Sequence, residues 1–292
     1  MYRSTCDGSK GNEMCSLSMD VKKIKPIEIY SFLDPICPEC WGLEPITKKL
    51  AIEYGEYLSI RTLLGINLNE SNKSLDKKLQ SIQWGKTANL TGMSCDDQVL
   101  RDSPPSPWKA IIAVKAAELQ GRLAGQRFLR ILQEKLFLAK QDINDEEILL
   151  ACAKAAQLDL NEFQKDLDSN GPIKAFQCDR KIISEMEVID IPTLVFFNVK
   201  SDEEGIKISG RYPYSVYVQI LTEMLGNPPS PKSPPDMVSF LKDYHFIATK
   251  ELAVVYDLEE AEAERELKKL QLKQIVEAVP VKYGTFWRYI GD

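Results

Sequence analysis

Two cysteines three positions apart constrain this chain more than any other feature. Cys37 and Cys40 stand in Leu33-Asp34-Pro35-Ile36-Cys37-Pro38-Glu39-Cys40-Trp41. Upstream, Ile27-Glu28-Ile29-Tyr30-Ser31-Phe32 alternates with period two and reads as a β-strand. Downstream, Trp41 to Tyr54 carries a helical pattern, with Leu43, Ile46, Leu50 and Ile52 apolar. A Cys-x-x-Cys between a strand and a helix is a redox placement. The first cysteine meets the unpaired N–H groups and dipole of the helix N-terminus, which favour a thiolate. The second lies one turn on, within reach to resolve a mixed disulfide. The competing reading is half of a zinc site. That site needs two further soft ligands, and the sequence holds no second Cys-x-x-Cys.

Taken in order, residues 1–24 read as a flexible polar leader. A strand over Pro26 to Phe32, the helix, and a second strand over Leu58 to Leu64 make a β-α-β unit. A mostly helical stretch follows, from about residue 69 to 186. Its punctuation is explicit: Ser106 and Pro107 mark one helix start, Asp145 and Asn161 are read as caps of two more, and Gly171-Pro172 opens the last. After Pro192 the run Thr193-Leu194-Val195-Phe196-Phe197 is a strand, where a proline is confined to a first or edge position. With the Cys-x-x-Cys upstream this turn resembles that of thioredoxin-like folds, which implies that the Ile191–Pro192 bond is cis and faces the cysteine pair. The Ile191 backbone beside it is expected to pair with an extended peptide. Residues 205–209 form a hairpin strand and 213–225 a closing helix.

Five prolines within Gly226-Asn227-Pro228-Pro229-Ser230-Pro231-Lys232-Ser233-Pro234-Pro235 mark a semi-rigid linker over 227–235. The reading therefore gives a main domain over 25–226 and a separate small unit over 236–292. In that unit three helices precede two strands that bracket Lys282-Tyr283-Gly284, which is the winged-helix pattern. Such units often bind DNA, but this one carries eight Lys and Arg against eleven Asp and Glu. Phosphate neutralisation needs the opposite sign. Its third helix bears Glu259, Glu260, Glu262, Glu264 and Glu266, so a protein-binding role is expected, with Glu260 and Glu264 on the docking face.

The formal charge of −6 argues against a general nucleic-acid binder, and no apolar run approaches a membrane span. The leader shows no apolar core of the signal-peptide type, so a cytoplasmic location is expected. The remaining cysteines, Cys6, Cys15, Cys95, Cys152 and Cys178, do not suggest a secreted disulfide framework. Cys152 lies in an apolar helical run and reads as a buried thiol. Cys6 and Cys15 are the leader's metal candidates, but the only histidine is His245, so a Cys/His zinc site there is poorly supplied. No cofactor is expected.

The segment from Phe32 to Pro45, the helical insertion and the Ile191-Pro192-Thr193 turn together resemble the DsbA-like superfamily. The fold class this implies is α/β, thioredoxin-like, with a helical insertion, followed by a small winged-helix-like domain. The form Cys-Pro-Glu-Cys-Trp and the appended C-terminal unit resemble a narrower group, the SpxH (YjbH) adaptor proteins of Gram-positive bacteria. The resemblance spans about residues 25–292. It implies binding of the transcription regulator Spx and its presentation to the ClpXP protease. Some members of that group bind zinc through a His- and Cys-rich leader; here the leader lacks histidine.

Two functions follow. A thiol–disulfide oxidoreductase would use Cys37 as nucleophile, Cys40 as resolving thiol, and Ile191, Pro192 and Thr193 as the substrate groove. An adaptor would use the same groove and the C-terminal unit to hold a protein without turnover. Asp34 and Glu39 flank the pair, and negative charge beside a developing thiolate opposes the helix dipole, an effect of about 0.3–1 kcal/mol. That balance, and the absence of an oxidising compartment, favour the adaptor.

Overall fold

The computed structural model describes residues 25–66, 77–201 and 204–291. Four strands build the main sheet: β1 (Ile27–Leu33), β2 (Leu58–Leu64), β3 (Thr193–Asn198) and β4 (Ile206–Ser209). Their order is β2-β1-β3-β4. β1 runs parallel to β2, in register Ile27 with Leu58, and antiparallel to β3, which pairs antiparallel with β4. The alternation read from the sequence sorts side chains between two faces. Ile27, Ile29, Leu194 and Phe196 pack with Leu43, Leu50, Tyr217 and Leu221 from the flanking helices α2 (Glu44–Glu53) and α10 (Tyr214–Leu225) and the turn before α2. Phe32, Leu63 and Val195 face the other way, onto Ile182 and Ile183 of α9 (Gly171–Glu185).

The expected helix from Trp41 to Tyr54 is two helices, α1 (Pro38–Trp41) and α2. Pro45 explains the break. It has no N–H to donate, and its ring would meet the carbonyl of the residue four back, Trp41, so the helix restarts with Pro45 in its first turn.

The insertion contributes α3 (Lys77–Thr91), α4 (Gln98–Asp102), α5 (Pro107–Leu119), α6 (Arg122–Phe137), α7 (Glu146–Ala155), α8 (Leu160–Leu167) and α9. Its core gathers Trp41, Trp84, Ile111, Phe128, Leu132 and Phe137. Ser106 caps α5 through Lys109 N at 3.4 Å, and Asp145 caps α7 through Glu147 N at 3.0 Å. For α8 the cap is Asp159, not Asn161: its Oδ1 accepts from the N–H groups of Asn161 and Glu162 at 2.9 and 3.0 Å.

Residues 236–291 form α11 (Met237–Tyr244), β5 (Phe246–Ala248), α12 (Thr249–Val255), α13 (Glu260–Leu272), β6 (Val276–Pro280) and β7 (Thr285–Tyr289). The three strands lie in the order β5-β7-β6. Phe240, Leu241, Ile247, Leu252, Leu267 and Trp287 give the unit a core of its own. It nevertheless lies against the main domain, because Ala248 and Phe286 are built into the insertion core beside Trp41. The proline-rich segment is tied down as well: Lys232 N donates to Glu53 O at 2.8 Å and Tyr256 Oη to Pro235 O at 2.7 Å.

Candidate functional site

β1 delivers Leu33 and Asp34 to the sheet end, and a tight turn closes with Cys37 N donating to Asp34 O at 3.1 Å. The Asp34 carboxylate stabilises that turn by accepting from Ile36 N at 3.0 Å. Cys37 is the N-cap of α1, Pro38 is its first residue, and Cys40 lies one turn along. Opposite them the Ile191–Pro192 peptide is cis. The turn is fixed by Thr193, whose Oγ1 donates to Asp190 O at 2.6 Å and shares a hydrogen bond with Ser209 Oγ at 2.8 Å. Gly210 N donates to Pro192 O at 2.8 Å.

Both sulfurs are covered. Cys37 has no exposed surface, Cys40 is 6 % exposed, and both pack with Ile191 and Leu33. Gly65 permits this approach, since a Cβ there would stand 2.6 Å from Ile191 Cδ1. Ile191 is also engaged within the chain. Burial pushes the Cys40 thiol well above its ordinary range, and the neighbouring Cys37 adds to the effect. The Asp34 N–H, 3.4 Å from Cys40 Sγ, works the other way. This is a sealed dithiol whose second member resists ionisation. Burial likewise raises the Cys95 thiol and pushes Cys152 up to about 12, in keeping with a buried structural thiol there.

The residues that sequence reasoning missed lie directly behind the pair. Trp41 stacks on Phe286 of β7, with ring centroids 6.2 Å apart and planes 3° from parallel. Its indole N–H donates to Ser94 O at 3.2 Å, and the Arg130 guanidinium lies 4.3 Å from the ring centroid. Arg130 grips Glu251 of α12 with both terminal nitrogens, at 3.0 and 2.9 Å, and also donates to Phe246 O at 3.1 Å. Lys48 is the second cation on Glu251. Burial alone would raise the Glu251 carboxyl, but Arg130 and Lys48 hold it down at about 2. The 282–283 turn is seated on the insertion too: Lys282 pairs with Asp97, and Tyr283 N donates to Ser94 Oγ at 3.2 Å. No spacing in the sequence pointed here, because Glu251 finds Arg130 and Lys48 more than a hundred positions away along the chain.

The remaining expected positions are scattered. Glu260 and Glu264 lie on α13, far along the chain from the dithiol, where they pair with Lys250 and Lys268 at 2.6 and 2.8 Å. Cys6 and Cys15 lie outside the described residues. Among the described residues no group of three or more His, Cys, Asp and Glu is placed to hold a metal. No helix among them is long and apolar enough to cross a membrane.

A βαβ unit with its cysteine pair at a helix start, facing a cis-proline, defines a thioredoxin-like protein of the DsbA type. The thioredoxin family model matches residues 30–219. A solved structure of a putative protein disulfide isomerase from Nitrosomonas europaea is similar, with TM-score 0.57 and 17 % identity, over 69 % of this chain and 98 % of that one. A probable DsbA oxidoreductase from Streptomyces coelicolor gives TM-score 0.55 and 16 % identity, over 72 % of this chain and all of that one. These likenesses show the fold. Closer relatives extend past it into the C-terminal unit. The ClpXP adapter protein SpxH of Halalkalibacterium halodurans is 50 % identical, over 99 % of this chain and 98 % of that one. That of Bacillus subtilis is 49 % identical over 91 and 90 %. The chain belongs to the SpxH family.

Proposed function

We propose that this chain is a cytoplasmic adaptor that binds the transcription regulator Spx and promotes its degradation by the ClpXP protease. The observation that carries the reading is the near-complete match to relatives named as ClpXP adapters, which takes in the C-terminal unit that the thioredoxin match leaves out. The site supports it. A nucleophilic cysteine has to present its sulfur to a substrate, whereas Cys37 is sealed beneath Ile191 and Cys40 is held protonated by burial. The oxidoreductase alternative draws on the same dithiol and cis-proline. It predicts a covalent partner trapped by Cys40→Ser.

The order helix, strand, helix, helix, strand, strand supports a winged-helix-like reading of residues 236–291. Its 282–283 turn is occupied by Asp97 and Ser94 of the main domain, and its third helix is acidic, so the unit is read as a protein-binding module without nucleic acid as a partner.

The test is degradation of purified Spx by ClpXP. Wild-type chain should accelerate it, and Cys37→Ala/Cys40→Ala should do so equally in reducing buffer. Failure of the wild type to accelerate ends the adaptor reading; loss of activity in the double variant alone would assign the thiols an essential role. Reversing Glu260 and Glu264 to Lys should weaken Spx binding if the α13 face docks it. Unchanged affinity removes that face from the interface.

A further inference from the structure

The cysteine pair and the C-terminal unit share a side chain. Trp41 immediately follows Cys40 and belongs to the same single turn of helix, its N–H donating to Cys37 O at 3.1 Å. Its ring is stacked on Phe286 of β7, and Arg130 lies against it while reaching Phe246 of β5 and Glu251 of α12. The turn that carries the sulfurs is therefore braced against three elements of the C-terminal unit. Little slack surrounds it. Cys37, Trp41, Ala248, Phe286 and Glu251 are all essentially without exposed surface. Closely packed interiors pass small displacements on instead of absorbing them.

We propose that the Cys37/Cys40 pair and the docking of the C-terminal unit form one redox-responsive switch, connected through Trp41. The dithiol state holds β5, α12 and β7 against the main domain, and conversion to the disulfide loosens them. In the dithiol state Cys40 Sγ accepts the Asp34 N–H and packs on Ile191. Bond formation draws the two sulfurs from contact into covalent distance and re-aims the turn between them. Trp41 moves with that turn, and the ring positions that suit Phe286 and Arg130 are lost.

The oxidant is a small disulfide such as oxidised glutathione. Cys37 attacks one of its sulfurs and one glutathione thiolate leaves. Cys40 then attacks the Cys37 sulfur of the mixed disulfide and the second glutathione leaves. One S–S bond breaks and one forms, and the two cysteine protons end on two glutathione thiols. The first step requires the Ile191 segment to lift from Cys37, which slows the reaction without altering its equilibrium. By linkage, a unit that favours the dithiol when docked makes the pair harder to oxidise, and weakening the docking makes it easier by the same factor.

The inference does not rest on the adaptor reading, and its test uses neither Spx nor ClpXP. Hydrogen exchange of the full chain is measured after equilibration with reduced or oxidised glutathione, with alkylation and mass mapping to locate the disulfide. Amides of residues 246–248 and 285–289 should exchange about fivefold or more faster in the Cys37–Cys40 disulfide form, the lower end of ordinary coupling factors. The difference should vanish in Cys37→Ala/Cys40→Ala. Phe286→Ala should shift the glutathione equilibrium of the pair toward disulfide by a similar factor. Equal exchange in both states of the wild type overturns the proposal. So does oxidant sensitivity that persists in the double variant, or a disulfide that joins Cys37 or Cys40 to Cys95 instead. Should Phe286→Ala fail to fold, the exchange comparison decides alone.

Discussion

Gly42 shows how tightly the site is built at the scale of single residues. It stands between α1 and α2, where a Cβ would fall 2.4 Å from Thr91 Cγ2 and 3.0 Å from Thr91 Cβ. Thr91 cannot turn aside. It is buried, its hydroxyl donates to Thr87 O at 2.8 Å, and the same oxygen accepts from Met93 N at 3.2 Å. Gly42→Ala must therefore push α3 away from the cysteine-bearing turn. Replacing glycine by alanine in helical backbone gains about 0.4–1 kcal/mol through the unfolded chain. Overpacking a filled site costs about 1–3 kcal/mol. The second effect wins, so urea unfolding should show a lower midpoint with an unchanged slope. A midpoint equal to or above wild type would mean that α3 yields without cost.

Among the elements, those the sequence announces twice are the ones it places well. β1 carries period-two alternation and β-branched or aromatic residues, β3 a short apolar run of such residues opened by Pro192, and α5 and α7 carry both apolar residues at helical spacing and a cap. The α1–α2 break was legible in Pro45 and was overridden by the apolar spacing of Leu43, Ile46 and Leu50. Residues 98–102 and β5 were missed because five and three residues are too few to show a period. The dithiol and Ile191–Pro192 were legible because their chemistry is local: each is a motif a few residues long. The clamp of Arg130, Lys48 and Glu251 was not, because ion pairing across 121 and 203 positions leaves no spacing to read. The five prolines read as a semi-rigid linker before a separate small unit, and that segment is also held on α2 by Lys232 N, a backbone contact that leaves no trace in the spacing.

At the scale of the whole molecule, the attachment of the C-terminal unit depends on charge, and acid should weaken it. Glu251 has no exposed surface and meets Arg130 and Lys48, while Arg130 also faces Glu134 and Glu44. Its carboxyl falls from an ordinary 4.5 to about 2 in the folded chain. A depressed carboxyl contributes its stability above the unfolded value and loses it as pH falls through the folded one, so the window runs from about pH 4.5 down to about 2. The difference corresponds to about 3 kcal/mol. Asp97, the partner of Lys282, shifts in the same direction: burial opposes ionisation there, but Lys282, Ser81 and Arg101 outweigh it. Both carboxylates hold the same unit, so their loss is felt together. Glu134 does not offset them, since burial raises its carboxyl and it protonates earlier. Thermal midpoints of the wild type should fall steeply between pH 4.5 and 2.5. Glu251→Gln should lower stability at pH 7 by about 3–5 kcal/mol, because Lys48 remains buried without its carboxylate and Arg130 keeps only Glu134 and the more distant Glu44. It should also flatten that acid slope. A variant whose slope matches wild type would move the acid-sensitive charge away from this clamp and leave the Asp97–Lys282 contact as the main tie between the two units.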